Sequence, residues 1–192
     1  MNNSPIPVIV VTDGDATARR AVERAAANIG GRCISLSAGN PTEVSGAEIV
    51  SAIKRAQGSP VLVMIDDGGK RGRGPGEKAL AAIADDPEVR IIGAIAVASH
   101  TDRVEGVPVT ASVDRRGRTV EGAVDKDGLP LHEARLQGDT VDILNQMEVP
   151  VVIGLGDLGK MDHADKVADG ARITTEAVRE IMRRAGLCVA DG

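Results

Sequence analysis

Phenylalanine, tyrosine and tryptophan are all missing from the 192 residues of this chain. Its core must therefore be filled by Val, Ile, Leu, Met and Ala, which carry less area per side chain than rings do. The same absence excludes base stacking, aromatic cages for cations and aromatic interface anchors. Basic residues are outnumbered: 23 Lys and Arg face 28 Asp and Glu, for a net charge of −5. Nucleic-acid binders carry a basic footprint, so no nucleic-acid partner is expected. Only two cysteines occur, Cys33 and Cys188, with no CxxC spacing. They read as a buried strand thiol and a tail thiol, not a disulfide framework, which suits a reducing compartment. Long apolar runs are missing as well. The longest, residues 91–99, lies between Arg90 and His100, whereas a bilayer span needs about 18–20 apolar residues. The start, MNNSPIPVIVVTDGD, has neither the basic region nor the apolar length of a signal peptide. A membrane role would have to come through a partner or a lipid surface.

What is present is an ordinary globular balance, 42% hydrophobic and 27% charged, in a length that suits one α/β domain. Residues 7–12 form a continuous β-branched run, as in a strand buried on both faces. Asp13-Gly14-Asp15 follows, then a helical pattern to Ile29 with Asp15 or Asp13 as N-cap and Gly30-Gly31 as the stop. A second strand is expected over residues 32–36, and Ser45 with Glu48 has capping-box spacing for a second helix. Residues 60–65 read as a third buried strand ending in Asp66-Asp67. A basic glycine-rich loop, a helix over 77–84 and a strand over 89–98 complete the next unit. This alternation predicts a three-layer α/β fold with a mostly parallel sheet and helices on both faces.

Residues 101–137 break the rhythm, with turn signals at Asp114-Arg115-Arg116-Gly117 and Asp125-Lys126-Asp127-Gly128. They predict a β-hairpin excursion packed on or beside the main sheet. Gly138-Asp139-Thr140 is expected to cap a helix to Met147. A strand over 149–153, a loop over 157–170 and a last helix from Thr174 or Thr175 to Ala185 follow.

The aspartates carry the clearest chemical signal. Asp13 and Asp15 follow the first strand, Asp66 and Asp67 the third, and Asp157 the last. In a parallel sheet these turns share the carboxyl edge, where ligands of such folds bind. Clustered carboxylates suit Mg²⁺ or Ca²⁺, and a metal there would serve phosphoryl chemistry. Helix capping and turn formation explain the same residues without any ligand. Lys70, Arg71 and Arg73, with Lys78 beyond them, place basic side chains on a loop running into a helix N-terminus. That arrangement suits an anion or an acidic partner, or simply a solvated loop. The sequence Gly154-Leu155-Gly156-Asp157-Leu158-Gly159 matches GxGxxG after a strand, but no helical pattern opens behind it, so it reads as a glycine-rich turn. His100, His132 and His163 sit apart without zinc spacing. No GxSxG elbow occurs.

Several phrases stand in order along nearly the whole chain. Val-Thr-Asp-Gly-Asp at 11–15, Gly-Gly-Arg-Cys-Ile-Ser at 30–35 and Ser-Ala-Gly-Asn-Pro-Thr at 37–42 are followed by Pro-Val-Leu-Val-Met-Ile-Asp-Asp at 60–67. Val-Ala-Ser at 97–99, Ala-Ser-Val-Asp-Arg at 111–115 and Ala-Val-Asp-Lys-Asp-Gly at 123–128 come next. Gly-Asp-Thr-Val-Asp at 138–142 and Gly-Asp-Leu-Gly-Lys-Met-Asp at 156–162 complete the set. Together they resemble the stage V sporulation protein AE family in its soluble form. The resemblance implies a non-enzymatic component of the system that moves calcium dipicolinate into the forespore and releases it in germination. It implies partners among the membrane components of the dipicolinate channel and a place peripheral to the spore inner membrane. It supplies no catalytic residues and no cofactor. Self-association into a homo-oligomer is compatible with it. The competing expectation is a Mg²⁺- or Ca²⁺-dependent phosphoryl-handling enzyme or nucleotide-binding domain built on the strand-end aspartates.

Overall fold

Alternate residues of β1 (Ile6–Val11) point into two different cores, which is why its whole run is apolar. Ile9 and Val11 join one cluster, Val8 and Val10 the other, and all four are fully buried. The computed structural model describes residues 4–69, 74–99 and 105–189. Its main elements after β1 are α1 (Ala16–Asn28), β2 (Arg32–Cys33), α2 (Gly46–Arg55), β3 (Val61–Met64), α3 (Pro75–Ala84) and β4 (Val89–Val97). The short strands β5 (Val107–Pro108), β6 (Ala111–Val113), β7 (Thr119–Val120) and β8 (Arg135–Leu136) lead to β9 (Val152–Leu155) and α4 (Arg172–Arg184).

Seven strands form one sheet in the order β2-β3-β1-β4-β9-β6-β7. Every pairing in it is parallel except β6 with β7. Helices α1 and α4 pack together on one face, and α2 and α3 on the other, so the fold is the expected three-layer α/β arrangement. The crossovers explain this split. The path from β1 moves outward to β2, whereas those from β2 to β3 and from β3 to β4 run the opposite way. A right-handed connection must therefore use the opposite face.

The excursion holds the expected hairpin, placed beside the main sheet, and a second ribbon besides. Its β6–β7 hairpin extends the main sheet beyond β9, while β5 and β8 pair as a separate antiparallel ribbon. The helix expected over 140–147 is not there. Residues Val141–Gln146 form only 3-10 turns, and Thr140 makes no side-chain cap. Its hydroxyl donates to Asp66 instead, and Asp142 accepts the amides of Glu105 and Gly106, so local capping loses to tertiary bonds. The second strand is shorter than expected because Ser35–Ser37 coils into a 3-10 turn, and the last sheet strand falls later, at β9. The capping box of α2 forms as read: the Ser45 hydroxyl accepts the Glu48 amide and Glu48 accepts the Ser45 amide. Cys33 is buried and Cys188 exposed, both as free thiols. Among the described residues, no helix is long and apolar enough to cross a membrane.

Candidate functional site

The parallel register brings the ends of β1, β3, β4 and β9 to one edge. There a cleft of about 300 Å³ is lined by Thr12, Asp13, Asp15, Asp66, Lys126 and Lys160, among others. The paths leaving β1 and β9 turn toward the face of α1 and α4, whereas those leaving β3 and β4 turn toward the other face. Such divergence opens a crevice at the carboxyl edge of α/β sheets.

Asp13, Asp15 and Asp157 each offer a carboxylate oxygen within 4.8 Å of the others. Their individual bonds differ. Asp15 is the N-cap of α1: its Oδ1 accepts the amides of Thr17 and Ala18, both at 2.7 Å. Its Oδ2 takes the Lys160 ammonium at 2.9 Å, and the same ammonium reaches Asp157 Oδ1 at 3.2 Å. Burial works against ionisation of Asp15, but Lys160 and the two amides outweigh it and hold the carboxyl below its ordinary range. Burial likewise opposes the charge on Lys160, and its two carboxylate partners still raise its pKa.

Asp13 is the exception. One oxygen accepts the Asp15 amide at 3.0 Å. Among the described residues no cation pairs with it. Burial pushes its carboxyl up from 3.8 to about 6, the Asp15 amide pulls the other way, and the charges of Asp15, Asp66 and Asp157 add to the rise. Asp66 lines the same cleft and is raised by burial too, against the opposing bonds from the Gly68 amide and the Thr140 hydroxyl.

Asp67 turns away. Its Oδ1 accepts the amides of Gly76 and Glu77 at 2.7 and 3.3 Å, capping α3 from a distance because Gly74, at the N-cap position, has no side chain. A Cβ on Gly74 would stand 2.1 Å from that oxygen. Lys78 is exposed on α3 and borders a separate groove with Ile143 and Met147. Lys70, Arg71 and Arg73 lie outside the described residues. His132 and His163 are exposed and apart from the cleft, and His100 also lies outside the described residues.

Sequence reasoning missed Lys160, Lys126, Asp139 and Thr140, all of which line the cleft. Lys160 stands directly before Met161, Asp162 and His163, three successive non-glycine residues with φ of 44°, 49° and 69°. Left-handed backbone of this kind is costly for L-residues and persists only where the surroundings enforce it. Here Met161 is buried and Asp162 pairs with Arg115 at 3.0 Å. The turn sends the chain back from β9 so that Lys160 reaches α1. No helix opens behind Gly159, which removes the dinucleotide reading of that loop.

The donor set of Asp13, Asp15 and Asp157 has the hard oxygen chemistry of a Mg²⁺ or Ca²⁺ site. Two of the three already share an internal cation in Lys160. No curated protein and no solved structure matches the chain. The family described as stage V sporulation protein AE1 matches residues 7–185, and the chain belongs to that family.

Proposed function

We propose that this protein is a non-enzymatic accessory component of the sporulation machinery for calcium dipicolinate transport. It acts in germination through protein contacts at the spore inner membrane. The observation that carries this reading is the family match, which spans residues 7–185. The site chemistry supports it. Asp15 and Asp67 serve as helix caps, Asp157 is engaged by Lys160, and Asp66 holds the Gly68 turn. With Asp13 holding the Asp15 amide, all five strand-end aspartates have structural partners.

Spores lacking the chain provide the test. Dipicolinate release after a germinant pulse should slow, and the wild-type chain and the Asp13→Asn variant should restore it equally. Unchanged release in the deletion strain sinks the dipicolinate assignment.

The close approach of Asp13, Asp15 and Asp157 favours a second reading, a Mg²⁺- or Ca²⁺-dependent phosphoryl-handling or nucleotide-binding domain. Calorimetric titration with Mg²⁺, Ca²⁺, nucleotides and calcium dipicolinate separates the two. Saturable heat that Asp157→Asn abolishes, together with failure of Asp13→Asn to restore release, selects the second reading.

A further inference from the structure

We propose that the free edge of the sheet at β2 is a docking groove for an extended acidic segment of a partner protein. β2 is the end strand of the seven, and nothing in the described chain pairs with its outer side. The amides of Arg32 and Ile34 donate inward to Pro60 and Leu62 of the neighbouring strand region. By the alternation of a parallel ladder, the intervening Cys33 presents its N–H and C=O outward. Beside this edge lies a groove of about 490 Å³ between β2, the following 3-10 turn and α2. Its wall is apolar, from Leu36, Ala52 and Ala56, and its rim carries Arg32 and Arg55. Leu36 is 45% exposed, one of three large hydrophobic side chains left open among the described residues.

Charge selects the occupant. Among the described residues neither Arg32 nor Arg55 forms an ion pair, whereas Lys54 beside them on α2 engages both Asp86 and Glu88. Two unpaired guanidinium groups on a chain of net charge −5 run against its average. Guanidinium groups engage carboxylates bidentately, and a free strand edge with an apolar pocket beside it fits strand addition by a peptide. A second copy suits the edge poorly, because a twofold pairing of two β2 edges would set the two basic rims against each other.

This rests on the reading that the chain acts through protein contacts, and it says where that contact falls. The test uses amide-resolved NMR on the full chain with two ten-residue peptides, one alternating Val and Glu, the other alternating Val and Lys. The acidic peptide should bind saturably and shift Cys33, Ile34 and Ser35. The Arg32→Glu/Arg55→Glu variant, whose two sites are exposed, should keep its fold by circular dichroism and weaken that binding at least tenfold. Equal binding of both peptides, or no shift at the β2 edge, overturns the groove. So does a concentration-dependent dimer whose shifts map to β2, which makes a second copy the occupant. If the groove fails while the deletion strain still releases dipicolinate slowly, the accessory role stands and its contact lies elsewhere on the surface.

Discussion

The Thr174 hydroxyl donates to Asp165 Oδ2 at 2.5 Å, in a site from which both residues are wholly excluded from solvent. The same carboxylate accepts the amides of Ile173 and Thr174 and, on the other side, of Gly159. Helix α4 begins after Ala171, whose φ of 46° and short side chain provide no cap, so Asp165 supplies the missing acceptor across a turn. It thereby ties the start of α4 to the glycine turn that carries Lys160.

Asp165→Ala leaves three amides and a hydroxyl without their partner. The expected loss of stability is about 3 kcal/mol or more, since each orphaned buried donor costs about 1–3 kcal/mol and relaxation recovers part of it. Thr174→Val removes one donor and should cost about 1 kcal/mol. Urea denaturation of the two variants gives the comparison. Equal small losses would show that Asp165 does not organise the start of α4.

The legible and illegible parts of this protein divide along a physical line. β1, β3 and β4 from Ile91 onward were readable because burial on both faces demands apolar runs, and α2 because its capping box is local. The aspartates could be placed on the carboxyl edge because the alternation of strands and helices implies a parallel sheet. Their partners could not. Asp67 caps a helix that begins eight residues later, and Asp165 caps α4 from outside its own first turn. Lys160 meets Asp15 across 145 residues of chain. The false helix at 140–147 has the same cause, since Thr140 and Asp142 look like local caps but spend their side chains on Asp66, Glu105 and Gly106.

Gly14, between the two aspartates of the first turn, has no room for a side chain. A Cβ there would lie 1.9 Å from the Gly39 carbonyl oxygen and 3.0 Å from Asp66 Cβ. Gly14→Ala must push the 39–42 turn away from the cleft, with an expected cost of about 1–3 kcal/mol from overpacking. Thermal unfolding checks the cost, and amide shifts at Asp66 and Thr42 should report the displacement. A variant as stable as the parent would mean that the Gly39 turn yields freely.

Lys160 acts as the built-in counter-ion of the acidic edge. Because it and both its partners are more than a third exposed, its own contribution to stability should stay under about 1 kcal/mol. Lys160→Met should therefore leave urea stability nearly intact while raising Ca²⁺ affinity several-fold, because two carboxylates lose their cation. Calorimetry on the two proteins measures this directly. Identical, negligible heats in both would show that the carboxylates do not converge on a metal even when freed.

The two thiols should separate cleanly in reactivity. Burial pushes Cys33 up to about 11, with the Ser35 hydroxyl opposing it, whereas Cys188 is exposed. At pH 8 only about one Cys33 in a thousand is thiolate, and the thiolate is the reactive form. Iodoacetamide should label Cys188 alone in the native protein and both residues in denaturant, as read by peptide mass. Rapid native labelling of Cys33 would mean that the β2 edge opens.

Asp13 sets the pH dependence of the cleft. Its carboxyl is raised from 3.8 to about 6, chiefly by burial, so between those values the folded protein binds a proton that the unfolded chain has released. Stability from this group is therefore fully present below about pH 4 and is lost as pH rises through about 6. The loss is at most about 3 kcal/mol, from the size of the rise. Asn at this position keeps an oxygen for the Asp15 amide and never ionises. Asp13→Asn should accordingly be more stable than the parent at pH 7.5, by about 1–3 kcal/mol, with the two converging near pH 4. The measurement is urea denaturation of both proteins from pH 4 to pH 8. A variant less stable than the parent at pH 7.5, with no convergence in acid, would show that the Asp13 charge is compensated in the folded state, and that a cation binds beside it.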